Sequence, residues 1–189
     1  MGENTMNVLV LAGSNVGSKT ATALDYVTNY FKEHHNTHNI EMIDLKDKKL
    51  NLADGRHYED WSGDTKEVVS KMLGADVIII GFPVFQASIP AVLKNLFDLL
   101  PIDGLRGKTV SIVSTAGSNR HFLVAEMMLK PILNYMKAHV LSSYVFITPE
   151  SYEGKRLTDV NILHRLDRLA DETIQIAEAH KTFRKENHK

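Results

Sequence analysis

The 189-residue chain contains no cysteine. That excludes disulfides, thiol nucleophiles and thiolate metal sites. Any redox chemistry must therefore be carried by a bound cofactor. An excess of one charge is also lacking: the formal net charge is -1, so no global field draws the chain toward nucleic acid or a membrane surface. No apolar run is long enough to span a bilayer. Residues 1–6 lack the basic and apolar regions of a signal peptide, and a cytoplasmic location is expected. Internal repeats and low-complexity segments are missing too. Nothing marks a domain boundary, so one domain over residues 1–189 is expected, large enough for a core and a cofactor cleft. The Lys and Arg residues cluster only in residues 181–189, which reads as a solvated basic tail.

What is present alternates. Residues 8–12 form an apolar run ending in Gly13-Ser14, a buried strand entering a loop. Residues 20–33 have helical spacing, with Ala23, Leu24, Val27, Tyr30 and Phe31 on one face. A second strand over 40–45 precedes a long polar surface connection, 46–63, and a short helix over 64–73 with Asp64 as its N-cap. Four consecutive β-branched residues, Val77-Ile78-Ile79-Ile80, predict a central strand buried on both faces and stopped at Pro83. Residues 89–100 read as a helix that tolerates Pro90 only in its first turn. A fourth strand (109–115), a fourth helix (121–138), a fifth strand (140–147) and a terminal helix (157–180) complete the series. Five strand–helix pairs demand a parallel sheet with helices on both faces. Such a sheet binds ligands beyond the carboxyl ends of its strands, where the strand order reverses. The loops after strands one, three and four are therefore the places for chemistry.

The first loop, Gly13-Ser14-Asn15-Val16-Gly17-Ser18-Lys19-Thr20, combines glycines, hydroxyls, one cation and the start of a helix, the elements of a phosphate cradle. It matches neither the Gly-x-Gly-x-x-Gly dinucleotide fingerprint nor the triphosphate-binding Gly-x-x-x-x-Gly-Lys-Ser/Thr. Hydroxyls in place of glycines suit a terminal monoester phosphate. The competing reading is a helix cap that happens to use Ser and Thr. In the second loop Pro83 ends the strand, Val84 and Phe85 offer faces for a flat ring, and Gln86 offers a donor for a ring edge. An apolar plug over the sheet end explains Phe85 equally well. In the third loop, Ser114-Thr115-Ala116-Gly117-Ser118-Asn119-Arg120, small residues let a planar ligand approach. Its amides would face the pyrimidine edge of an isoalloxazine and stabilise negative charge there. An ordinary turn capped by Ser118 or Asn119 is the alternative.

The chain resembles the NADPH-dependent FMN reductases of flavodoxin-like fold. The likeness runs from about residue 6 to about residue 144 and is strongest over 81–98. There the family's Pro-x-Tyr-x-x-Ser-x-Pro-x-x-Leu-Lys-x-x-x-Asp is matched at Pro83, Ser88, Pro90, Leu93, Lys94 and Asp98, with Phe85 at the usual tyrosine. Leu105-Arg-Gly-Lys-Thr109 and Leu129-Lys-Pro-Ile-Leu133 resemble the subgroup that supplies FMNH2 to alkanesulfonate monooxygenases. The resemblance implies an α/β three-layer sandwich, with a five-stranded parallel sheet in the order 2-1-3-4-5. It implies that Ser14, Ser18, Lys19 and Thr20 hold the FMN phosphate, with Val16 standing where the family often has arginine. It implies that Pro83, Val84, Phe85 and Gln86, with Ser114, Thr115, Ala116, Gly117 and Ser118, hold the ring. It also implies NADPH or NADH as electron donor, a small-molecule acceptor or a flavin-dependent monooxygenase as partner, and a homodimer or homotetramer. The sequence offers no convincing side-chain acid or base, and hydride transfer to a flavin requires none.

Three rival readings are an FMN-bound quinone or azo-compound reductase, a non-enzymatic flavodoxin-type electron carrier and a binding module that has lost flavin. The near-neutral charge argues against the carrier, because docking to basic partners favours an acidic surface. The apolar residues of 89–100 spread over more than one helix face, which predicts a partner subunit. His34, His35 and His38 read as a solvated helix end rather than metal ligands. Met127 and Met128 are expected in a half-buried helix, and Arg120 as a surface cation or a contact for the nicotinamide nucleotide's phosphates. Tyr58 and Trp61 either pack locally or cap a neighbouring subunit's pocket. Asp44 and Asp47 are given no ribose-binding role.

Overall fold

The computed structural model describes residues 5–187, and side chains through Phe183. Its strands and helices alternate: β1 (Asn7–Ala12), α1 (Lys19–His34), β2 (Asn39–Asp44), α2 (Gly63–Gly74), β3 (Val77–Pro83), α3 (Ala91–Asp98) and β4 (Thr109–Thr115). Then come α4 (Lys130–Tyr135), β5 (His139–Val140), β6 (Val145–Ile147), the hairpin β7 (Tyr152–Glu153) and β8 (Arg156–Leu157), and α5 (Val160–Asn187). The main sheet is parallel, with order β2-β1-β3-β4-β5 and β6 also paired to β4.

Strand residues alternate between two cores, as the period-two pleat requires. Val8, Val10, Val77 and Ile79 pack with α1 and α5 on one face. Leu9, Leu11, Ile78, Ile80 and Phe82 pack with α2, α3 and Leu133 of α4 on the other. All of these strand residues are buried, so each contributes about 1.5–3 kcal/mol relative to exposure. Burial on both faces explains why β3 carries no polar residue.

Several expectations are corrected. The fifth strand is not continuous: β5 and β6 are separated by exposed Ser142 and Ser143, and Lys130 Nζ donates to the Ser142 carbonyl at 2.7 Å. The fourth helix begins with a 3-10 turn (Asn119–His121) and a π-turn (Ala125–Leu129) before α4. Pro131 lacks the amide that a regular ladder would use there. That break leaves Met127 67% exposed and Met128 42% exposed rather than half-buried. The N-cap of α2 is Ser62, not Asp64, whose carboxylate instead accepts the Lys49 amide at 2.7 Å. The last helix runs through Asn187, and Lys181 Nζ donates to the Thr5 carbonyl at 2.9 Å, so the basic segment begins as helix and not as a free tail. Residues 1–4 of the stretch read for a signal peptide, and residues 188–189 of the tail, lie outside the described residues.

Of the histidine cluster, His34 is exposed at the helix end as expected, but His35 and His38 are not. His35 Nε2 lies 2.8 Å from Asp171 of α5, and the His38 side chain is 4% exposed, its Nε2 4.0 Å from Glu178. With Tyr26 donating to Asp167 and Tyr30 to Asp171, these groups form a polar seam between α1 and α5. Finally, the apolar faces of α3 do not wait for a partner. Ile89, Leu93, Leu96, Phe97, Leu99 and Leu100 are all buried within the chain and Val92 is half-buried, which removes the physical argument drawn from residues 89–100.

Candidate flavin site at the carboxyl end of the sheet

The turn out of β1 is set by close approach. The Gly13 amide donates to the Gly81 carbonyl at 2.7 Å. A Cβ on Gly13 would lie 2.9 Å from a Leu93 methyl and 3.1 Å from that carbonyl. Ser14 is buried and spends its hydroxyl inside the loop, donating to the Val16 carbonyl at 2.9 Å and accepting the Val16 amide at 3.2 Å. Gly17 has φ +86° with open space where a Cβ would stand. Ser18 is the N-cap residue of α1 yet makes no side-chain cap bond, and the first turn of α1 carries no acidic residue. The amides of a helix's first turn lack intrahelical partners, and no acidic side chain of that turn offsets their positive potential. Lys19 enters none of the ion pairs among the described residues.

The second loop is tied to the third by the Val84 amide, which donates to the Thr115 carbonyl at 2.7 Å. Phe85 and Ser88 then exchange both backbone bonds, at 3.0 and 2.9 Å, around a two-residue turn. Gln86 (φ 48°) and Ala87 (φ 58°) both occupy the left-handed region. Such turns ordinarily recruit Asn-Gly, so two residues with side chains here store strain of about 1–3 kcal/mol each. The turn holds Phe85 at 38% exposure and lifts Gln86 to its tip. The motif residues that carried the resemblance build this loop more than they line it. Lys94 and Asp98 pair with each other at 2.6 Å along α3, Pro90 begins that helix, and Leu93 packs beneath Gly13.

Thr20 Oγ1 and Thr115 Oγ1 share a 2.7 Å hydrogen bond that joins the first and third loops. The Ala116 amide donates to the Ile147 carbonyl at 3.1 Å, which brings in a fourth wall from Ile147 to Tyr152. The cavity so enclosed is about 280 Å³. Ser14, Val16, Ser18, Lys19, Thr20, Pro83, Val84, Phe85, Thr115, Ala116 and Gly117 line it. Gln86, Ser114 and Ser118 do not. Ser114 is interior, its buried hydroxyl without a hydrogen-bond partner among the described residues, and Ser118 Oγ caps the following turn by accepting the Arg120 amide at 3.4 Å. Asp44, set aside on sequence, lines the cavity while accepting the Lys46 amide at 2.9 Å. Thr148, Pro149 and Tyr152 also line it. No motif marked this fourth wall, and only the parallel pairing of β6 with β4 brings it to the site.

A larger cavity, about 680 Å³, lies at the opposite end of the sheet between Asn7, Lys32, His38 and Lys71. The smaller one is the candidate site. It sits where strand order reverses, between β1 and β3, and the Ser18 hydroxyl and the Lys19 ammonium on its rim make no cap bond and no ion pair among the described residues. Ser18, Lys19 and an acid-free helix start suit a phosphate monoester. Val84, Phe85, Ala116 and Gly117 offer an apolar, lightly covered shelf for a flat ring. The residues present fit FMN.

Trp61 is buried in the α2–α3 core with Arg56 stacked 4.4 Å above its ring, so it packs locally. Arg120 is exposed.

Residues 6–153 match the family described as NADPH-dependent FMN reductase. An NAD(P)H-dependent FAD/FMN reductase of Geobacillus thermodenitrificans is 34% identical over 172 residues, covering 90% of this chain and 93% of that protein. An FMN reductase (NADPH) of Escherichia coli is 31% identical over 166 residues, covering 86% and 85%. Among solved structures, the apo form of an NADH:FMN oxidoreductase superposes with a TM-score of 0.74 at 23% identity, covering 90% and 89% of the two chains, and shares the fold.

Proposed function

The chain belongs to the NADPH-dependent FMN reductase family, and on that premise we propose that the loops at the carboxyl end of its sheet are the flavin site. It is an NAD(P)H-dependent FMN oxidoreductase. FMN, when bound, supplies the redox chemistry by accepting hydride from the reduced nicotinamide. The chain's own task is binding and orientation. Ser18, Lys19 and the first-turn amides of α1 hold the phosphate. Thr20 fixes the first loop to the third through Thr115. Val84, Phe85, Ala116 and Gly117 lie along the ring.

The observation that carries this reading is a set of unspent donors around one cavity: an N-cap serine that caps nothing, a lysine outside the ion pairs of the described residues, and a helix start free of acid. The test is NADPH and NADH oxidation by flavin-stripped protein, with and without added FMN. Oxidation should require FMN, and Lys19→Met should raise the FMN concentration needed for half-maximal rate. Equal rates without flavin would refute the assignment.

Electrons then pass to a small-molecule acceptor, and a flavin-dependent monooxygenase is the partner the sequence resemblance favours. In the fold, Lys108 of that resemblance caps α2, donating to the Leu73 and Ala75 carbonyls at 2.6 and 2.7 Å, so this motif speaks to architecture first. The homo-oligomer is retained on a new basis: Ile102, Phe122, Met127, Met128 and Tyr135 are exposed apolar side chains, unlike those of α3. A single cytoplasmic domain completes the proposal. No helix among the described residues is long and apolar enough to cross a membrane.

A further inference from the structure

We propose that Tyr152 is a positioning residue that sets the pocket's selectivity for phosphorylated flavin by holding Lys19 in place, an inference that rests on reading residues 14–20 as the phosphate loop. Lys19 is the only Lys or Arg among the described residues that line the cavity. A lysine side chain is flexible, and a freely rotating ammonium discriminates poorly between a phosphate and none. Tyr152 restrains Lys19 at both ends. Its hydroxyl donates to the Lys19 backbone carbonyl at 2.9 Å, across 133 positions of sequence. Its ring lies under the ammonium, with Nζ 5.2 Å from the centroid, within cation–π range.

Tyr152 is itself well anchored. It is 9% exposed and packs into the core shared by α1 and α5. The β7–β8 hairpin pairs it with Leu157, and Ser151 accepts the Thr158 and Asp159 amides at 3.0 and 3.3 Å through its carbonyl. Burial pushes the Tyr152 hydroxyl well above the usual phenol range, so it remains a donor at neutral pH. Nearby Glu150 stays ionised, held below the ordinary carboxylate range first by a hydrogen bond from Thr148 and also by the field of Lys19. The fourth wall therefore fixes where the Lys19 ammonium stands, while the residues reading the ring lie on other loops.

The test is a fluorescence titration of flavin-stripped protein with FMN and with riboflavin, for the parent, Tyr152→Phe, Tyr152→Leu, Lys19→Met and the Lys19→Met/Tyr152→Phe double variant. Tyr152→Phe should cut the FMN-over-riboflavin preference about threefold to tenfold while leaving riboflavin affinity unchanged. Tyr152→Leu should cut it further. The double variant should lose less than the product of the two single losses, because both act through Lys19. Should Tyr152→Leu fail to fold, the near-isosteric Tyr152→Phe carries the test. Parental selectivity in Tyr152→Phe, an equal loss for both flavins, or independent effects in the double variant would overturn the proposal. A parent protein that binds both flavins alike would overturn the phosphate-loop reading beneath it; a selective parent with an indifferent Tyr152→Phe would sink this inference alone.

Discussion

The two ends of the sheet hold cavities of different size and different chemistry. At the amino end of the strands the cavity is about 680 Å³, and several of its polar groups are already engaged. Asn7 donates from its side chain to the Gly74 carbonyl and accepts from Asn39, at 3.1 and 3.0 Å, and Lys71 pairs with Glu41 at 2.6 Å. At the carboxyl end the cavity is about 280 Å³, but Ser18 and Lys19 are left over, α1 points its acid-free end inward, and a strained turn holds Phe85 out. Volume alone would choose the amino end. Donors left free around one cavity, beside a strained turn held by its own backbone bonds, are groups that a ligand can engage without breaking anything in the chain.

The comparison breaks most visibly at Phe85. Phe85→Ala should weaken FMN by about 1–3 kcal/mol, the range for losing an aromatic stacking surface. Because the ring is 38% exposed without ligand, its removal should cost the fold far less than a core truncation would. Titration with FMN beside a denaturant melt separates the two effects; a variant that binds like the parent would make the second loop a plug and not a shelf. Phe85→Tyr should stay within about 1 kcal/mol of the parent, the net worth of one hydrogen bond.

Next in size is Ser18→Ala. An N-cap serine replaced by alanine ordinarily costs about 0.5–2 kcal/mol of stability. Here no cap bond exists to lose, so the melt should not move, whereas FMN affinity should fall by about 1–2 kcal/mol through loss of a bond to charged phosphate. Thr20→Ala should behave differently and lower stability too, since its hydroxyl is shared with Thr115.

At the opposite end the expected effects are smaller and confined to stability. Lys71→Ala removes an exposed ion pair and should cost about 0.2–1 kcal/mol, with FMN affinity unchanged. A change in FMN affinity there would mean that the two ends are coupled. His38 supplies a pH slope. Burial lowers its pKa from the ordinary 6.5, followed by opposing fields from Glu178 and Asp76, which raise it, and from His35 and Lys181, which lower it. The folded state thus favours the neutral ring. Its contribution is present above pH 6.5 and is lost as the pH falls from there through the lower folded value. His38→Gln should flatten the decline in melting temperature between pH 7 and pH 5; an unchanged slope would assign the decline to other groups.

Much of this was legible in the sequence because the informative residues do local work. Val77 to Ile80 announce a two-face strand, and the hydroxyls and lysine of the turn after β1, which carry the phosphate reading, line one cavity. What escaped is long-range. Tyr152 reaches the cavity only because β6 pairs with β4, and Ser114 turns inward because the pleat alternates. The broken fourth helix follows from Pro131, whose missing amide was visible but whose π-turn was not. The α3 faces looked surplus because helical spacing counts apolar residues without knowing how many neighbours surround them, and the sheet, the first loop and α4 together cover nearly all of them. The histidines looked solvated because α5 arrives from more than a hundred residues away, Asp171 meeting His35 at a separation of 136.

The most direct test of the central claim is the affinity of flavin-stripped protein for FMN against riboflavin, measured by fluorescence quenching under one salt condition. The two ligands differ only by the phosphate that Ser18, Lys19 and the start of α1 are assigned to hold. The account predicts that FMN binds at least about tenfold more tightly, which is 1.4 kcal/mol or more from the phosphate. Equal affinities would contradict it and leave the carboxyl-end cavity without its ligand.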